Sequence, residues 1–154
     1  MVQSDPPHVD ACTTAAVVAA TRMNLDRELE AQLILRIREQ VSCEASGDVE
    51  ALYNFIDPAI RSSRAAQYAF EPDRTLSQLR AFVKSIRSAN CERIEIVSFS
   101  SDGGEARDRR ATAVAFVTVL YNGRHRSRFR TPWVLDEGLW YTRALAKLGD
   151  LEGT

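Results

Sequence analysis

The apolar residues of this chain change their period once, at Asn90. Before that residue they recur at steps of three and four, which places them on one side of a helix. After it they alternate with polar residues, which places them on one face of a strand. A chain with that order, helices first and strands second, is restricted to folds in which a helical layer covers an antiparallel sheet. The expected fold class is therefore α+β.

The first helical stretch carries Leu29, Leu33, Ile34, Ile37 and Val41, with Arg27, Glu30, Arg36 and Glu39 on the other side, and is read from Leu25 to about Ala45. Ser46-Gly47-Asp48 ends it, Gly47 suiting a left-handed residue after a helix and Asp48 suiting the next cap. A short second helix carries Val49, Leu52, Tyr53 and Ile56, and Asp57-Pro58 stops it. Residues 57 to 74 read as an irregular connection that turns Tyr68 and Phe70 inward. Thr75 and Gln78 have the spacing of a capping box, so a third helix opens at Thr75, buries Leu76, Leu79, Phe82, Val83 and Ile86, and ends near Ser88-Ala89-Asn90.

The strands follow as four runs: Arg93 to Ser100, about Arg110 to Tyr121, Arg124 to Leu135, and Leu139 to Leu145. Asn122-Gly123 is the strongest turn signal, because a type I′ hairpin turn needs positive φ at both central residues. No repeat or linker divides the elements. Residues 25 to 148 are read as one domain, residues 1 to 24 as a loosely ordered arm, and 149 to 154 as a tail.

With 154 residues the chain can bury a core without disulfide or metal support. Its net charge of -1 supplies no field toward nucleic acid or an anionic membrane, so neither is expected as a partner. Cys12, Cys43 and Cys91 are odd in number, far apart and without metal-ligand spacing, and no metal or other cofactor is expected. The apolar run Ala11 to Ala20 is about half the length that spans a bilayer. Asp5 and Asp10 stand where a signal peptide carries positive charge, which favours the cytoplasm, with export or a periplasmic location as the alternative.

Two stretches carry a family resemblance. Ser46-Gly47-Asp48-Val49-Glu50-Ala51-Leu52-Tyr53, closing on Ile56-Asp57-Pro58, resembles the helix-to-helix joint of nuclear-transport-factor-2-like, or cystatin-like, domains. Trp133 to Tyr141 resembles their final hairpin, and the element order between the two agrees from about Leu25 to Leu145. The resemblance implies a bent sheet wrapped around the helices as a cone, a ligand cavity at its open end, and a homodimer on the outer sheet face. It does not imply one activity, because the superfamily includes isomerases, dehydratases, epoxide hydrolases and polyketide cyclases beside adaptors without catalysis.

Ketosteroid-isomerase chemistry needs a carboxylate base and a hydroxyl that steadies the enolate. The resemblance would place that hydroxyl, a Tyr, at about Gln40, and the base near Ser62-Ser63-Arg64, where there is no acid. Asp57 is the nearest carboxylate, and before Pro58 it reads as a turn residue that accepts local backbone N–H groups. His125 follows the hairpin turn and reads as an exposed loop histidine rather than a catalytic one, and His8 lies in the arm. No catalytic residue is assigned, and whether the chain is an enzyme stays open.

A two-residue turn at Asn122-Gly123 would set Tyr121 opposite Arg124, Val119 opposite Arg126, Val117 opposite Arg128 and Ala115 opposite Arg130. These residues would share the outer face, where Arg124, Arg126, Arg128, Arg130, Val117, Val119 and Tyr121 are the interface candidates. The stripe of arginines serves either as a solvated face, with Glu95 as a partner, or as an interface for a second copy or an acidic protein. The other face would line a cavity with Phe116, Phe129, Trp133 and Trp140, joined by Tyr53, Phe82 and either Phe55 or Tyr68. Thr118, Ser127, Thr131 and Thr142 would orient a small apolar ligand there, unless the rings simply fill the core. Binding of such a molecule is the leading functional expectation, a non-enzymatic dimerisation or adaptor module is the alternative, and a lyase, isomerase or hydrolase with a non-standard active site is the second alternative.

Overall fold

The computed structural model describes residues 11–62, 71–101, 111–145 and 149–150, and only the backbone of residues 11–24, 145, 149 and 150. The first helix, α1, runs Ala11–Ser46 and so begins well before the expected Leu25. Its early turns contain Ala15, Ala16, Ala19 and Ala20 and no glycine or proline, a composition with high helix propensity. Leu33, Ile37 and Val41, one turn apart, form its buried stripe.

The end of α1 is closed as a Schellman motif. Gly47 takes φ +73, its N–H bonds to the Glu44 carbonyl at 3.3 Å, and the Asp48 N–H reaches the Cys43 carbonyl at 3.1 Å. Asp48 then caps α2, Val49–Asn54, by accepting the Ala51 N–H at 3.1 Å. A short helix not expected from the sequence, α3, occupies Pro58–Ser62. The connection expected to be irregular is thus partly helical, and its Tyr68 and Phe70 lie outside the described residues.

Helix α4 spans Pro72–Lys84, starting one turn earlier than the sequence suggested. Pro72 in the first turn has the right fixed φ and no N–H to lose, while Thr75 is buried inside the helix and donates its N–H to the Glu71 carbonyl at 2.9 Å. The Thr75–Gln78 capping box is therefore not formed.

The sheet is an antiparallel meander ordered β1-β2-β3-β4, with β1 Ala89–Ser100, β2 Thr112–Tyr121, β3 His125–Asp136 and β4 Leu139–Thr142. Two short strands, β5 Ala144–Leu145 and β6 Gly149–Asp150, pair separately. Register shifts at Glu92 and Val97 interrupt the β1–β2 ladder. The helices cover one face of this sheet, which makes the fold α+β.

The hairpin between β2 and β3 differs from the expected one. Asn122 and Gly123 both have positive φ, and the Arg124 N–H closes on the Tyr121 carbonyl at 3.0 Å. The ladder, however, resumes with Tyr121 opposite His125, so the loop has three residues and Arg124 is its third. Val119 consequently faces Ser127, Val117 faces Phe129 and Ala115 faces Thr131, while Phe116 faces Arg130 and Thr118 faces Arg128.

A slip of one residue turns a whole strand over. The faces of β3 are as expected, but those of β2 are exchanged. Val117, Val119 and Tyr121 are buried against the helices, whereas Phe116 and Thr118 stand among the arginines. The observed register puts small residues where the largest side chain needs room: Ala113 pairs with Trp133, and Ala115 is fully buried beside it.

The last hairpin turns at Glu137 and Gly138, both with positive φ, and returns β4 to the helical corner. There Ile56 bridges Thr142, the Asp57 N–H donates to the Thr142 carbonyl at 2.9 Å, and the Thr142 N–H donates to the Phe55 carbonyl at 2.8 Å. Asp57 is 0% exposed and accepts the Ala59 N–H at 3.0 Å, the turn role expected of it, and also Nε of Arg143 at 3.1 Å. A second, smaller core of Leu52, Ile56, Ile60 and Leu79 packs behind this joint.

Candidate functional site

Between α1 and the inner face of β2 and β3 lies a cavity of about 10 Å³, lined by Gln40, Val41, Glu44, Val117, Val119, Tyr121, Phe129 and Thr131. That is room for roughly one water molecule. Gln40 and Glu44 continue the buried stripe of α1 beyond Ile37 at helical spacing, so the helix that packs the core also carries two polar side chains into it. Glu44 is 4% exposed and Gln40 6% exposed.

The Tyr121 hydroxyl donates to Oε1 of Glu44 at 2.8 Å. Burial pushes the Glu44 carboxyl up to about 7, although the Tyr121 hydrogen bond works in the opposite direction. Tyr121 is itself raised well above its ordinary value, first by burial and then by the neighbouring Glu44. No cation pairs with Glu44 among the described residues, and none of them hydrogen-bonds the Gln40 amide. Thr131 donates to the Ala115 carbonyl at 3.0 Å and accepts the indole N–H of Trp133 at 2.9 Å.

Of the residues expected in a ligand cavity, Phe129 and Thr131 reach this one. Trp133 and Trp140 are core residues, the Trp140 indole donating to the Leu29 carbonyl at 3.1 Å. Phe55 is buried beneath Arg36, whose guanidinium carbon stands 3.9 Å from the ring centre. Phe82 packs edge-on to Tyr121 at 6.0 Å. Tyr53 belongs to the second core with Arg61 nearby at 5.8 Å, and Thr142 is fully buried at the joint.

The position at which the resemblance would place a Tyr, Gln40, does belong to the interior. The acid in that interior comes from the same helix, at Glu44, rather than from the segment after α2. A sequence signal for it exists, because Glu44 continues the series Leu33, Ile37, Gln40/Val41 at steps of three and four.

The outer face carries the second cluster of charge. Arg126 grips Glu92 through two nitrogens, with Nη2 to Oε2 at 3.0 Å, and holds the Glu92 carboxyl below its ordinary value. Arg128 and Arg93 both reach Glu95, at 3.4 and 3.3 Å, and Arg128 also lies 3.9 Å over the Phe116 ring. Val114, Phe116, Thr118 and Leu120 of β2 are half-buried between these charges. Arg124 and Arg130 are exposed, and neither forms an ion pair among the described residues.

His125 is exposed at the start of β3. Cys43 and Cys91 are free thiols that burial pushes above the ordinary thiol value, which keeps them in the unreactive protonated form. Among the described residues no group of three His, Cys, Asp or Glu side chains could hold a metal ion, and no helix is long and apolar enough to cross a membrane. No family model matches this chain, and neither a curated protein nor a solved structure matches it. The class that fold and site define is thus an α+β domain with helices on one face of a four-stranded antiparallel sheet.

Proposed function

We propose that this chain is a nuclear-transport-factor-2-like module that works by association rather than catalysis, pairing with a second copy of itself through the uncovered face of its sheet. Element order, the capped helix-to-helix joint and the closing hairpin are compatible with that family and support the assignment.

The observation that carries the reading is the distribution of charge on the outer face. An apolar row on β2, with Val114, Phe116 and Leu120, is flanked by glutamates of β1 on one side and arginines of β3 on the other. Turned through a two-fold axis, such a face sets the acidic side of one copy against the basic side of the other, as a self-complementary interface requires. The exposed Arg130 adds a donor that no acid within the described residues satisfies. Arginine suits interface cores because its flat guanidinium pairs in two-pronged fashion and stacks on rings.

The double variant Arg126→Glu, Arg128→Glu tests this, since it reverses the basic side while leaving the helix-covered core untouched. Size-exclusion chromatography with light scattering should give a dimer for the native chain and a monomer for the variant. Equal masses for the two would count against the reading.

Binding of a small apolar molecule between helices and sheet ranks second. The polar cluster of Gln40, Glu44 and Tyr121 on apolar walls favours it, as such a cluster would orient a guest. Against it stands the volume of about 10 Å³, since ligand pockets generally measure about 300–1,000 Å³. A thermal shift with apolar ligands in the native chain, lost in Val119→Phe, would bring this reading forward.

A further inference from the structure

The Glu44 cavity has a chemistry that association through the opposite sheet face does not use. A carboxyl enclosed by Val41, Val117, Val119 and Phe129 has a hydroxyl donor in Tyr121 but no counter-ion among the described residues. Gln40, also buried, lines the same small space, and none of the described residues hydrogen-bonds its amide. A space of one water's volume lined by a carboxyl, an amide and two hydroxyls makes a hydration site, because such groups supply the several hydrogen bonds that hold a buried water.

We propose that the cavity bounded by Gln40, Glu44, Tyr121 and Thr131 is a proton-linked water site, in which Glu44 sits as the neutral acid and its ionisation draws water between α1 and the sheet. An ionised carboxylate in an apolar site is costly unless hydrogen bonds or water surround it. The direction in which burial moves Glu44, to about 7, agrees with a neutral acid at mildly acidic pH. When the proton leaves, the cheapest compensation is solvent entering beside Phe129, the half-buried ring of the lining. The part of α1 that holds Gln40 and Glu44 then packs less tightly on β2 and β3.

Other titratable groups stand close. Tyr121 on β2 and Cys43 and Cys91 on α1 and β1 are all raised, so they stay neutral through the relevant range. Arg38 of α1 lies close enough to act on Cys91, where it opposes the effect of burial. His125 pairs with Tyr121 across the β2–β3 ladder and is exposed. From α4 the neighbour is Phe82, which carries no charge.

Carbon-detected NMR titration of the glutamate side-chain carboxyls in the native chain is the deciding experiment, repeated in His125→Gln to remove the imidazole. Glu44 should titrate with a midpoint at about 7 in both. Hydrogen exchange of the α1 amides from Ile37 to Ser46, corrected for intrinsic base catalysis, should speed up by about tenfold between pH 6 and 8. Glu44→Gln, which fixes the neutral state, should remove that rise. A Glu44 midpoint near the ordinary 4.5 in the native chain overturns the proposal whatever the variants do, and so does an exchange rise that persists in Glu44→Gln.

Discussion

Asn122 shows how much one side chain can carry beyond its turn. Its backbone supplies positive φ, and its amide also ties the hairpin to the end of α4: Oδ1 accepts the Arg87 and Ser88 N–H groups at 2.6 and 3.2 Å, and Nδ2 donates to the Ser85 carbonyl at 2.9 Å. The two roles separate by substitution. Asn122→Gly keeps the φ and loses the bonds, at a cost of about 1–2 kcal/mol, whereas Asn122→Ala loses both and should cost about 1 kcal/mol more. Urea unfolding of the two variants checks that order. The folded value of Glu44, about 7, lies above the unfolded 4.5, so between those values the folded chain holds more protons than the unfolded one. Stability from this group is therefore full below pH 4.5 and declines as pH rises to about 7, by an amount on the order of 3 kcal/mol. Chemical denaturation at pH 5 and pH 8 should show this loss in the native chain and a much flatter profile in Glu44→Gln.

Among the elements, those with a strong local period were legible and those decided by tertiary contact were not. Leu33, Ile37 and Val41 announce α1, and Val117 and Val119 alternate with Phe116 and Thr118 as strand residues should. Which side of β2 meets the helices was misread. The turn signal specified a reversal without specifying how many residues it would take, and one residue decides the face. The interior site was half legible: Gln40 and Glu44 sit at core spacing on α1, but the hydroxyl that meets Glu44 lies on the strand whose face was misassigned. Cross-strand NOEs should link Phe116 to Arg130 and Thr118 to Arg128, and contacts from Val117 to Arg128 instead would restore the two-residue turn. The corner where α2 meets β4 carries the heaviest local dependence. Asp57 is fully buried and bonded to Ala59 and Arg143, so Asp57→Ala leaves the Arg143 head without this partner and should cost about 3 kcal/mol in urea unfolding.

For the whole molecule, one sheet face is closed by helices and the other presents an apolar row between acids and arginines. The closed side has an interior with room for about one water. It offers a proton site before it offers a substrate pocket. The open side has the patterning of an interface that pairs two copies. Sedimentation equilibrium of the native chain at tens of micromolar measures that pairing most directly. One copy has a mass of 17.2 kDa, so the expected mass is twice that, 34.4 kDa, falling toward a single copy when Phe116 is replaced by Glu. A native mass of 17.2 kDa across the whole concentration range would contradict the pairing.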